Sequence, residues 1–191
     1  MSKIETNKID SISGTSTLKI GETNATTLDF DTGITSVTNI PQGLTNKPYF
    51  VMTRSSQTGI SDDAYTKAQL NTADLDSASG ADTTTNYRYT VQSGDAGIFF
   101  LSWSCTGITN SNNDNKSTIL QIRKNGSNIA QINLYGSDST SDNRENGGTI
   151  TTIEDLSVGD YIEGFVRINS SANANNNSAS NMRLTGFRLI G

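Results

Sequence analysis

Gly97-Ile98-Phe99-Phe100-Leu101-Ser102-Trp103-Ser104-Cys105 is the stretch that decides the fold class. Phe99, Leu101, Trp103 and Cys105 recur at every second position, and Ile98, Phe100 and two serines fall between them. A repeat of two is that of a β-strand, whose side chains alternate between the faces of a sheet. One face is apolar along its whole length and the other only at its start, which predicts a central strand over a core. Downstream, Leu120 and Ile122 alternate with Gln121 and Arg123, and Ala130, Ile132 and Leu134 alternate with Gln131 and Asn133. Asn125-Gly126 lies between these runs. Both residue types tolerate positive φ, so the spacing predicts a tight β-hairpin.

The same pattern extends outward in both directions. Tyr49, Val51 and Thr53 alternate with Phe50, Met52 and Arg54, and Tyr87, Tyr89 and Val91 alternate with Arg88 and Thr90. Val158-Gly159-Asp160 predicts a turn into a strand from Tyr161 to Ile168. Met182 and Leu184 lead to Phe187 and Leu189, a phase slip across Thr185-Gly186 that a β-bulge would explain. Polar loops are expected over Thr109 to Lys116, Ser137 to Gly148 and Asn169 to Asn181. Short strands, polar loops and almost no helical periodicity predict an all-β antiparallel sandwich or barrel for residues 47–191. Residues 1–46 read differently. Their apolar positions are sparse, with Leu18 and Ile20, then Leu28 and Phe30, at strand spacing. Such a segment cannot bury a core alone, so it is expected to be extended or short-stranded and to need a partner. Pro41 and Pro48, the only prolines, bracket the passage to the head.

Composition narrows the function. Hydrophobic residues make up 32% and charged residues 17% of the 191, and Ser, Thr, Asn and Gly fill the difference. The net charge is −5 with no basic run, which argues against nucleic acid and against an anionic membrane surface. No apolar run reaches the ~20 residues of a membrane helix, so no membrane insertion is expected. Met1 to Asp10 lacks the apolar centre of a signal peptide, which weighs against a secretory route. Histidine is absent, which removes Ser-His and Cys-His nucleophile pairs and imidazole metal sites. No catalytic residue is expected. The carboxylate groups Asp62-Asp63, Asp74 with Asp76, and Asp138 with Asp142 read as turn caps. No cofactor is expected; calcium, which takes six to eight oxygens, is the one ion these groups leave open. Cys105, the single cysteine, reads as a buried inert thiol.

The head carries a resemblance. Tyr65 to Asn71 with Leu75-Asp76, Tyr87-Arg88-Tyr89-Thr90-Val91, Gly97 to Leu101, Lys124-Asn125-Gly126, Leu156 to Tyr161 and Gly186 to Ile190 together resemble the C1q-like globular head of the tumour-necrosis-factor-like superfamily. Phe99 stands where that family usually has Tyr, and Leu101 where it has Phe; both stay apolar. No Gly-X-Y collagen repeat is present, which weighs against an animal complement role. The resemblance implies a ten-strand jelly roll that forms a homotrimer. It makes Tyr87, Tyr89, Phe99, Tyr161 and Phe187 the candidates to divide between the sandwich core and the trimer axis.

Lys3-Ile4-Glu5-Thr6-Asn7-Lys8-Ile9 and Ser13 to Gly21 resemble the starts of fibre and tail-associated proteins of marine bacteriophages. This implies a virion structural protein (short fibre, tail appendage or capsid decoration), assembled in the bacterial host cytoplasm. Ile4, Ile9, Ile12, Leu18 and Ile20 are then the candidates for docking onto other virion proteins. Asn112, Asn113, Asp114, Asn143, Asn175 and Asn176, in the polar loops, are the candidates for contact with a host-surface glycan or protein. The alternative is a cellular or secreted C1q-like recognition or adhesion protein.

Overall fold

A computed structural model of the chain describes residues 47–110, 115–136, 143–170 and 176–190. The docking candidates Ile4, Ile9, Ile12, Leu18 and Ile20, and the loop candidates Asn112, Asn113, Asp114 and Asn175, lie outside these residues.

Among the described residues the chain forms eleven strands: β1 (Tyr49–Ile60), β2 (Thr66–Lys67), β3 (Thr72–Asp76), β4 (Ala81–Asp82), β5 (Arg88–Thr90), β6 (Gly97–Ile108), β7 (Asn115–Lys124), β8 (Ser127–Tyr135), β9 (Glu145–Leu156), β10 (Tyr161–Ser170) and β11 (Asn177–Ile190). The count exceeds the expected ten because of short pairings such as β2 and β4, two residues each. One sheet runs β3-β1-β11-β6-β9 and the other β4-β5-β10-β7-β8, with β2 added to β10. From β5 onward the chain crosses between the sheets at every step except the β7–β8 hairpin, and the first and last described strands lie side by side. That winding is a jelly roll.

Alternation explains the core. Phe99, Leu101, Trp103 and Cys105 of β6 all face inward, as their spacing predicted, and meet Leu120, Ile122, Ile162 and Val166 from the other sheet. Phe50 of β1 stacks on Tyr89 of β5 with ring centroids 3.8 Å apart. The Trp103 indole N–H donates to the Phe165 carbonyl at 3.1 Å, so its one polar group is satisfied inside the sandwich. Burial pushes the Cys105 thiol up to about 12, which leaves it unreactive at neutral pH.

Two expectations are corrected. The bulge at Thr185-Gly186 does not exist: Val51 pairs with Thr185 and Phe50 with Gly186 without a shift. Instead β11 keeps its phase from Met182 to Arg188 and changes what faces inward; its register shifts against β6 lie on either side, at Ser180/Arg183 and Arg188/Ile190. A Cβ on Gly186 would lie 2.4 Å from the Phe50 ring, so Phe50 already fills that interior position. Arg188 is the next inward residue, and it donates to the Gly94 and Ala96 carbonyls. Phe187 and Leu189 therefore face outward. The second correction concerns the loop expected from Ser137 to Gly148. Its last four residues begin β9, which pairs with β6 residue for residue from Glu145 to Leu156. Asn177–Asn181 likewise belong to β11 rather than to a loop.

The predicted hairpin is present, with Asn125 at φ 52° and Gly126 at φ 80°. Asp160, from the turn before β10, ties it down. Its carboxylate accepts from the Asn125 amide at 2.7 Å and the Ser157 N–H at 2.9 Å, and pairs with Lys124 at 2.9 Å. The Asn125 amide leads these interactions in holding the carboxyl down at about 2. A depressed carboxylate stabilises the fold above its ordinary pKa and loses that contribution as pH falls through its folded value. Stability is therefore expected to drop by about 1–2 kcal/mol between pH 4 and pH 2. Thermal melting across that range should show the decline, and Asp160→Asn should flatten it.

Candidate functional site

Outward-facing side chains of the five-stranded sheet form a contiguous apolar surface. The register sets Tyr49 opposite Phe187, Phe187 opposite Phe100, and Phe100 opposite Ile153. These four residues form one row across β1, β11, β6 and β9. The Phe100 and Phe187 rings lie 5.2 Å apart. Leu75 and Val51 pair beside Tyr49, and Ile98 and Leu189 extend the surface toward the chain's end. Ile153 is 61% and Leu75 51% exposed, which is unusual for large aliphatic side chains on one contiguous face. A hollow of about 350 Å³ opens between Tyr49, Val51, Leu75 and Phe187, with Gly186 and Phe50 at its floor.

The other end of the same face is polar. The row beyond is Val51, Thr185, Ser102 and Thr151, and the next is Thr53, Arg183, Ser104 and Thr149. Greasiness is thus confined to the end where the described chain begins at Lys47 and finishes in β11. It stops at β9, which among the described residues pairs with β6 alone and has no strand on its other edge.

The five aromatic interface candidates separate under this geometry. Phe187 alone lies on the apolar face. Tyr89 and Phe99 are fully buried in the sandwich and are not available to a neighbour. Tyr161 is on the outer face of the six-stranded sheet, where the Arg88 guanidinium sits 4.0 Å over its ring. Tyr87 is half-buried just before β5, with φ 50°. Tyr49, Val51, Leu75, Ile98, Phe100, Ile153 and Leu189 were not among the candidates. The Ile98/Phe100 alternation was visible, but a strand's second face declares its surroundings only once the strands beside it are known.

Two loop candidates fall within the described residues. The Asn143 carbonyl accepts from the Asn115 N–H at 2.9 Å, and Asn176 is exposed in the turn before β11. The carboxylates are engaged locally. Asp76 accepts from the N–H groups of Ala78, Gly80 and Ala81. Asp62 accepts from Ser170, Asp63 from Arg167 and Asn169, and Asp74 from Thr53. Asp138 and Asp142 lie outside the described residues.

No family model matches the chain, and no curated protein matches it. Solved structures do match. One is the globular domain of zebrafish complement 1qA protein, 12% identical, covering 75% of this chain and 98% of that chain with a TM-score of 0.47.

Proposed function

We propose that this chain is a non-enzymatic bacteriophage virion protein, a short fibre, tail appendage or capsid decoration. Its C1q-like head forms a homotrimer, and residues 1–46 dock it onto other virion proteins. The row Tyr49, Phe187, Phe100 and Ile153 carries the trimer reading. Each is partly covered by its neighbours, and the part left in water forgoes a share of the about 1.5–3 kcal/mol that full burial of a large apolar side chain returns. A second copy is the occupant that the chain itself supplies. The apolar end of the face runs to the outer edge of β9, so a neighbour must cover face and edge together. A contact of one copy's edge with the next copy's face is heterologous, and a rotation of about 120° between copies closes it as a ring of three. The virion assignment is supported by the likeness of Lys3 to Ile9 and Ser13 to Gly21 to phage fibre starts. A rigid head with three equal faces would recognise a host surface by avidity, each weak contact raising the effective concentration of the next.

Sedimentation equilibrium of the full chain at micromolar concentration is expected to give three times its 20.4 kDa mass. A folded monomer at that concentration would refute the trimer. Electron microscopy of purified particles with antibody against the head is expected to label the virion. Particles that carry none of the protein would refute the virion role.

A further inference from the structure

We infer that the outer face of the six-stranded sheet binds a carboxylate-bearing saccharide, with Arg123 as the anchor. This face looks away from the sandwich on the side opposite the apolar row. Arg123, on β7, is half-buried. Its guanidinium lies 3.9 Å over the Phe165 ring and 5.2 Å from the Tyr65 ring. Its Nε donates to the Gln121 side-chain oxygen at 2.9 Å. Its two terminal nitrogens have no acceptor among the described residues. The carboxylates beside it are committed elsewhere. Glu163, its cross-strand partner, pairs with Lys67 at 2.6 Å, and Asp63 pairs with Arg167. A guanidinium held flat by a ring, fixed through Nε and left open at its fork presents two parallel donors to a planar carboxylate.

The surface leading from Arg123 suits a sugar. Gln121 donates to Gln131 at 2.6 Å, Gln131 to Asn133 at 2.8 Å, and Asn133 to the Tyr135 hydroxyl at 3.3 Å. Every link runs the same way, starting at the cation, so each bond polarises the next. The chain ends on Tyr135, which is 74% exposed, and its hydroxyl proton is free to donate outward. The strip follows roughly 20 Å of strand, long enough for an extended oligosaccharide. Amides donate and accept at once, as sugar hydroxyls do, and the exposed Tyr rings offer flat apolar faces. A peptide strand would instead pair with the backbone along the edge of β8, the outermost strand of this sheet, whereas the ladder on the sheet face offers a ligand side chains only, and poly-glutamate tells the two apart.

The inference deepens the proposed host-recognition role and rests on that reading; it moves recognition from the polar loops to a sheet face. The test is calorimetric titration of the full chain with polygalacturonate, polysialic acid, carboxyl-reduced polygalacturonate and poly-glutamate. The mass of each sample is measured in parallel. One or both acidic polysaccharides are expected to bind, and the reduced polymer and poly-glutamate are not. Arg123→Gln should weaken binding by about tenfold or more, the scale of one lost bidentate charge-assisted pair. Arg123→Lys keeps the charge and the stem over Phe165 but loses the fork, and is expected to show a comparable loss with the fold intact. Tyr135→Ala, at an exposed position, should weaken binding several-fold. Absence of binding to both acidic polysaccharides overturns the inference. So does equal binding by folded Arg123→Lys, by the reduced polymer or by poly-glutamate. A trimer that binds none of the polymers sinks this inference and leaves the virion head standing; a monomer that binds through Arg123 does the reverse.

Discussion

Phe187→Asp is expected to sediment as a folded monomer where the unaltered chain is expected to sediment as the proposed trimer. Phe187 sits between Tyr49 and Phe100 in the apolar row, and its backbone is paired on both sides, with β1 and with β6. Its side chain points away from the sandwich, so a single folded chain loses little when it is replaced. The assembly loses much more. Each copy forfeits the burial of a phenyl ring and must dehydrate a carboxylate with no cation in the row, about 3 kcal/mol or more at each of three contacts. Circular dichroism should remain that of a β protein while the mass falls to one chain. Thr149→Asp, at the polar end of the same face, should leave the mass unchanged. Persistence of the trimer in Phe187→Asp would show that the copies meet elsewhere.

The second large effect is in the interior. Trp103→Ala should lower the unfolding free energy by about 3–5 kcal/mol, read as a fall in the urea midpoint at fixed protein concentration. Trp103 is fully buried, and Gly164 lies so close to its indole that an added Cβ would sit 2.8 Å from the ring. Removing the indole opens a cavity between the sheets and strips the Phe165 carbonyl of its donor. Gly164→Ala should also destabilise, by about 1–3 kcal/mol, because the site is already filled. Joining the two changes should cost less than their sum, since each makes room for or fills the space of the other. A midpoint unmoved by Trp103→Ala would mean that the two sheets do not pack as described.

How far each part was readable follows from where its burial comes from. β6, the β7–β8 hairpin and β10 were plain because a strand with one buried face writes a period of two into its own residues. The hairpin needed only Asn125-Gly126, whose positive φ is a local property. β9 was hidden because it is an edge strand. Ile150 faces the core and Ile153 faces out, so they stand three apart and break the alternation. Gly147 and Gly148 read as loop residues, but they are there because β9 runs close to Thr106 and Leu134. The slip at Gly186 read as a bulge because nothing local announces that the space beneath it belongs to Phe50.

From the amino acids alone one could settle the all-β class, the central strand, the tight turn and the absence of imidazole chemistry, since each depends on residue type and short-range spacing. Tertiary structure decided which aromatic side chains meet water. Tyr49, Phe187, Phe100 and Ile153 come together only when strands far apart in the chain are laid side by side, and no local pattern encodes that order. It also decided which charges have partners. Arg123 looks like any other arginine in the sequence, and it stands out only because folding gives Glu163 to Lys67 and Asp63 to Arg167.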